Sequence, residues 1–159
     1  MDKKVEEQGV DKKQGGKANL QAQLLCVAII GYDTNNHKVL LKSVHPDFEL
    51  SEQTVSGIYS LSSFSGNEPG YVSLEVDEGT VMSYYTGSME PLRCNPHCLV
   101  LFLDRLQNPE AYKKLLTKMG SVVFPLLCDR EFGEFARKLY ETALVTGELR
   151  AKITGGSAH

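Results

Sequence analysis

A continuous apolar run closed by a turn constrains the fold of this chain more than any other feature. It covers residues 23–33, QLLCVAIIGYD, and is too short for a long helix. Apolar runs of this length are typical of strands that are buried on both faces. A second run, residues 98–103, has the same character. We therefore expect both segments to be central strands, with the rest of the chain packed around the first.

The composition is that of one soluble globular domain. The chain has 159 residues, 42% hydrophobic and 23% charged residues, and a net charge of -3. A domain of this size can bury a core without disulfides. The net charge argues against a nucleic-acid-binding protein, which normally carries a basic surface. No segment reaches the roughly 20 apolar residues that cross a bilayer, and the N-terminus lacks the apolar stretch of a secretory signal.

The four cysteines fit a reducing compartment better than a disulfide scaffold. Residues 1–20 are dominated by lysine, acidic residues, glutamine and glycine, which predicts a disordered charged tail. Residues 21–147 then form the domain, and residues 148–159 are predicted to be a flexible C-terminal tail. We expect a cytoplasmic protein with no membrane span and no cofactor.

Periodicity predicts five strands and three helices. The strands are expected at residues 22–32, 38–44, 71–76, 80–85 and 98–103, and the polar residues 33–37 predict a hairpin between the first two. Ser51 is placed to cap the first helix. Gly120 and Pro125 predict a break after the second helix. The third carries an apolar stripe from Phe132 to Leu144 and is predicted to end at Gly147.

These elements follow one another in the order β-β-α-β-β-β-α-α. Five strands with helices on one or both faces predict an α/β or α+β sandwich, built on a mainly antiparallel sheet. This order, with two consecutive helices after the fifth strand, resembles that of a longin domain, a member of the wider group that includes roadblock and profilin-like folds.

Local segments carry the same resemblance. Residues 29–33 (IIGYD), 39–42 (VLLK) and 44–46 (VHP) are similar to the opening of the longin-like modules in DENN, folliculin and nitrogen-permease-regulator-like proteins. In those modules a strand ends in a turn and the next strand runs into a proline. Residues 58–65 (IYSLSSFS) resemble the segment that follows. The resemblance covers about residues 22–146 and is mainly one of topology.

The resemblance implies a non-catalytic interaction module. Such domains dimerise through sheet edges or helices, bind small GTPases, or act as scaffolds in vesicle trafficking and nutrient signalling. The partner implied here is a small GTPase or a second longin or roadblock subunit, and a homodimer is a further possibility.

The first helix offers a candidate partner-binding surface. It is rich in serine and contains Gly57, so it covers its face of the sheet poorly. An apolar patch left there would be completed by a partner. The alternative is a fully packed helix, since single exposed apolar residues are normal. The candidate residues are Val55, Ile58, Tyr59, Leu61 and Phe64.

Cys94, His97 and Cys98 form the one cluster of soft ligands in the sequence. Zinc takes about four nitrogen or sulfur ligands, and this spacing departs from the paired ligands of known zinc sites. A loop with one exposed and one buried thiol is the alternative. A nucleophilic Cys98 would need a nearby base, and His97, its neighbour on a strand, is expected to point to the opposite face.

Two other functions therefore stay open beside the interaction module. One is a small-molecule sensor with a PAS- or profilin-like core, which predicts an internal apolar pocket. The other is a zinc- or thiol-dependent enzyme built on Cys94, His97 and Cys98. The sequence shows no strong catalytic or metal motif, so we expect a protein that is not an enzyme.

Overall fold

The computed structural model describes residues 24–64, 68–77, 79–87, 96–105 and 109–158, and of residues 148–158 it describes the backbone alone. The predicted tail at residues 1–20 lies outside the described residues, and so does Cys94. The described chain has an α+β fold with a five-stranded antiparallel sheet and three α-helices. The predicted element order β-β-α-β-β-β-α-α is confirmed.

The five strands form one sheet in which both apolar runs lie in the interior. The strands are β1 (Leu24–Asp33), β2 (Lys38–His45), β3 (Gly70–Val76), β4 (Gly79–Tyr85) and β5 (His97–Leu103). Their spatial order is β2-β1-β5-β4-β3, so β2 and β3 are the edge strands. β1 pairs with β2 on one side and with β5 on the other, which confirms its predicted central position.

The side chains of β1 supply both layers of the core. Val27 and Ile29 face the cluster that contains the second and third helices. Cys26, Ala28 and Ile30 face the cluster that contains the first helix, and all five side chains are fully buried. A strand with apolar residues on both faces needs a cover on each. The continuous apolar run therefore specifies a sheet between two helical layers.

The β1–β2 hairpin is closed by a capped turn and contains a bulge. The carboxylate of Asp33 accepts hydrogen bonds from the backbone N–H of Asn35 at 3.0 Å and the side-chain amide of Asn36 at 2.7 Å. Further along, Ile29 pairs with Ser43 while Ile30 pairs with Leu41. The strand β2 therefore has one extra residue, Lys42, at this point.

The first helix, α1 (Glu52–Ser62), covers one face of the sheet together with Phe48 and Leu50 of the segment before it. Ser51 caps it as predicted, and the backbone N–H of Thr54 donates to the Ser51 hydroxyl at 3.1 Å. The opposite face carries α2 (Pro109–Lys118) and α3 (Phe132–Ala158). The break predicted from Gly120 and Pro125 is confirmed, because a π-helical turn (Met119–Val123) and a 3-10 turn (Phe124–Leu126) follow α2.

The prediction that Gly147 ends the last helix was wrong. Helix α3 continues through this residue to Ala158. The structure gives another reason for glycine here, since a Cβ at residue 147 would collide with the hydroxyl of Tyr112 on α2. Gly147 therefore allows α2 and α3 to pack closely and does not end the helix. In sequence, a glycine that ends a helix cannot be distinguished from a glycine that is required for packing. The flexibility predicted for residues 148–159 stays a prediction.

Candidate partner-binding surface

Helix α1 is fixed to the sheet by buried side chains and by a ring cluster at its centre. Val55 and Ile58 are 5% and 1% exposed. The ring of Tyr59 stacks on Tyr32 of β1, with 5.8 Å between centroids, and meets Tyr85 of β4 edge-on at 6.0 Å. Burial is the main cause that raises the pKa of Tyr59. The helix is thus held across several strands and presents its outer surface in one orientation.

The structure divides the five predicted partner-binding residues into two groups. Val55 and Ile58 lie in the core, and Tyr59 is partly buried among the tyrosines. Leu61 and Phe64, at the C-terminal end of the helix, are 56% and 88% exposed. A partner that approaches α1 from solvent would therefore meet Leu61 and Phe64, while Val55 and Ile58 support the helix from beneath.

The opposite end of α1 borders a groove that the sequence did not indicate. The groove lies between α1 and the edge strand β2, has a volume of about 230 Å³ and opens to the surface. Its walls come from β2, the segment before α1 and the first turns of α1. The lining residues are Lys38, Val39, Leu40, Leu41, Leu50, Glu52, Val55 and Ser56. Lys38 and Glu52 place one charge of each sign on an otherwise largely apolar wall.

The groove runs beside a strand edge that has no neighbour among the described residues. β2 pairs with β1 along one side and ends the sheet on the other. An edge strand presents backbone N–H and C=O groups to which another strand can pair. Leu41, which lines the groove, is 36% exposed. The edge of β2 therefore combines backbone hydrogen-bonding groups with an apolar recess for a side chain.

A buried polar cluster lies beneath the C-terminal half of α1. The hydroxyl of Ser62 donates to that of Ser83 on β4 at 2.9 Å, and both interact with the thiol of Cys98 on β5. Burial raises the pKa of Cys98 to about 11 and that of Cys26 to about 12. Both residues are therefore neutral thiols at physiological pH, as expected for cysteines in apolar strands.

The residues of the zinc hypothesis are not brought together within the described chain. Cys94 lies outside the described residues, and His97 and Cys98 are adjacent in β5. Across the part of the chain that the structure describes, no group of three His, Cys, Asp or Glu side chains is placed to hold a metal ion. Within the described residues, the zinc hypothesis therefore has no geometric support.

The expected separation of His97 from Cys98 is confirmed. The ring of His97 meets Phe124 and Phe132 edge-on at 5.1 and 5.3 Å, on the side of α3. Cys98 faces α1, on the other side of the sheet. The two side chains alternate across the strand. A direct proton transfer between this imidazole and this thiol is therefore not possible in the structure.

Sequence reasoning missed the groove because its walls come from two separate segments. A signal for the edge position was present, since lysines on a short strand, here Lys38 at its start and Lys42 at its bulge, are a common protection of sheet edges. The depth of the recess depends on how far Leu50 and Val55 stand from β2, which no local pattern encodes.

None of the helices in the described residues is long and apolar enough to cross a membrane. Comparison of the chain with models of protein families, with curated proteins and with solved structures finds no match.

Proposed function

We propose that this chain is a longin-like interaction module without catalytic activity. In this proposal it binds a small GTPase or a second longin- or roadblock-type subunit, and acts as a scaffold or regulator in trafficking or nutrient signalling. The element order and the interior position of β1 support the longin-like assignment. The proposal of partner binding rests on the exposed edge of β2 and the groove beside it.

The groove suits a side chain of a partner protein. Its volume of about 230 Å³ is below the roughly 300 Å³ at which small-molecule sites begin. A leucine or aromatic side chain of a partner strand would fill it, while the backbone of that strand pairs with β2. Lys38 and Glu52 would favour a partner segment with an acidic and a basic residue on either side of this anchor.

Binding to candidate partners tests the proposal. The purified chain is mixed with small GTPases loaded with GDP or a GTP analogue, and separately with longin- and roadblock-type subunits, and complexes are measured by light scattering and calorimetry. The Leu41→Glu variant places a negative charge at the edge of β2 and in the groove beside it. We expect it to weaken binding at least tenfold, since a buried unpaired charge is costly.

The chain supplies a matched control for this variant. Leu144 on α3 is 37% exposed, against 36% for Leu41, and lies on the opposite face of the sheet. Leu144→Glu should leave the affinity unchanged. The Leu61→Ser/Phe64→Ser variant asks whether the other end of α1 also contacts the partner. A chain that stays monomeric and binds none of the candidates, or equal losses from Leu41→Glu and Leu144→Glu, would contradict the proposal.

A further inference from the structure

The connection between α2 and α3 presents two exposed apolar side chains on the face of the sheet opposite α1 and the groove. Val122, in the π-helical turn, is 58% exposed, and Leu126, in the 3-10 turn, is 79% exposed. We call these two residues the apolar tip. They are four positions apart, on a segment that lies on the α2–α3 side of the sheet.

Buried residues between and beside them hold the apolar tip in place. Gly120 lies against the ring of Tyr84, close enough that a Cβ at residue 120 would overlap it. Phe124 is 3% exposed and stacks on Phe132 with 4.9 Å between centroids. The backbone of the segment is thereby fixed to the core from below, so Val122 and Leu126 are kept on the solvent side.

Two exposed lysines precede the apolar tip in the chain. Lys114 and Lys118 are exposed and precede Val122 at intervals of four residues. Between residues 109 and 127 there are three lysines and one acidic residue, Glu110, although the whole chain has a net charge of -3.

The acidic residues that follow next in the chain lie beside basic residues. Asp129 forms an ion pair with Lys42 at 3.1 Å. The carboxylate of Glu131 lies beside Arg130, whose positive charge offsets it electrostatically. The lysines of α2 are therefore left as a local excess of positive charge beside the apolar tip.

We propose that this segment docks on the surface of an anionic lipid bilayer. Val122 and Leu126 would enter the boundary between headgroups and acyl chains, and Lys114 and Lys118 would contact anionic headgroups, the combination that binds proteins peripherally to membranes. Two protruding side chains provide much less than the roughly 800 Å² that each partner contributes to a stable protein interface. A membrane needs no matching surface, so the small apolar tip and the adjacent charge favour the bilayer as occupant.

The full chain is tested by flotation with vesicles of phosphatidylcholine alone and of phosphatidylcholine with one third phosphatidylserine. We expect binding to the anionic vesicles only, and a decrease as salt is raised. Val122→Ser/Leu126→Ser should reduce the partition coefficient about tenfold or more. Lys114→Gln/Lys118→Gln should reduce it about 25-fold, at roughly fivefold for each lysine.

Leu144→Ser/Val145→Ser is the matched control. It also removes one leucine and one valine, and Val145 is 60% exposed against 58% for Val122. This variant should bind vesicles like the wild type. Circular dichroism and thermal unfolding verify that each variant is folded.

Three results would overturn the proposal. The first is no binding to the anionic vesicles at low salt. The second is an equal loss in the apolar-tip variant and in its control. The third is a concentration-dependent dimer or a protein complex that Val122→Ser/Leu126→Ser abolishes, with vesicle binding unaltered. The groove at β2 takes no part in this proposed membrane binding. The Leu41→Glu variant should therefore still float with the vesicles. A negative result in the flotation experiment would leave the proposal of partner binding at β2 unaffected.

Discussion

The hydroxyl of Ser62 on α1 donates a 2.9 Å hydrogen bond to the hydroxyl of Ser83 on β4, and both residues are buried. This polar contact lies within an interface between α1 and the sheet that is otherwise made by apolar side chains and tyrosines. A hydrogen bond between buried hydroxyls requires a specific distance and angle, whereas the hydrophobic effect has no direction. The pair therefore fixes the position of α1 relative to β4.

Removing either serine should destabilise the fold because the other hydroxyl loses its hydroxyl partner and keeps only the thiol of Cys98. We expect Ser62→Ala and Ser83→Ala each to lower the free energy of unfolding by about 1–3 kcal/mol. The double variant should lose less than the sum, since the hydrogen bond between the two hydroxyls can be lost only once. Urea unfolding of the four proteins measures the coupling. Ser60→Ala, at an exposed position of the same helix, should change stability by less than about 0.5 kcal/mol. Additive losses would show that the two serines act independently.

Gly147 and Tyr112 provide a second coupled pair. A Cβ at residue 147 would collide with the Tyr112 hydroxyl. Gly147→Ala should therefore cost about 1 kcal/mol or more, even though alanine is the better helix former. In the Tyr112→Phe background the obstructing oxygen is gone, and the same substitution should become neutral or stabilising by up to about 1 kcal/mol. Thermal unfolding of the two single variants and the double variant gives the comparison. A loss of equal size in both backgrounds would mean that the hydroxyl is not the obstacle.

Gly120 should be the least replaceable glycine in the helical segments. An added Cβ would overlap the ring of buried Tyr84, whereas a Cβ at Gly57 of α1 meets nothing within 4 Å. We expect Gly120→Ala to destabilise the protein by about 1–3 kcal/mol through overpacking. Gly57→Ala should stabilise it by about 0.5–1 kcal/mol through helix propensity. Chemical denaturation of both variants checks the two signs, and a tolerated Gly120→Ala would contradict the packing described for the π-helical turn.

Alkaline pH should destabilise the fold through the buried thiols. The pKa values of Cys26 and Cys98 are raised by burial to about 12 and about 11. The unfolded chain releases these protons near pH 8.5 while the folded chain retains them. Their contribution is therefore complete below about pH 8.5 and is lost as pH rises toward 11–12, at up to about 1.4 kcal/mol per pH unit for each thiol.

Denaturant unfolding between pH 8 and 10 measures this dependence. Cys26→Ala/Cys98→Ala should lower the stability at pH 8 but flatten its decline with pH. The thiol of Cys128 is exposed, so Cys128→Ala should leave the slope unchanged. A slope that is the same in all three proteins would show that the buried thiols do not carry the effect.

The sequence was sufficient to predict the elements of the fold and their order. Five strands, the capped start of α1 and the break after α2 were all expected, because alternation, capping and glycine or proline act over a few neighbouring residues. The burial of the two apolar runs was expected for the same reason. The positions of His97 and Cys98 on opposite faces also followed from strand geometry alone.

The arrangement of these elements was decided by tertiary structure. Which strands form the edges, how deep the groove beside β2 is, and which part of α1 remains exposed all depend on contacts between segments far apart in the chain. Gly147 shows the limit most clearly, because its role is set by Tyr112, 35 positions earlier. A local sequence pattern reflects the effect of a residue on its own backbone conformation. A packing constraint, in contrast, arises only when two elements are in contact.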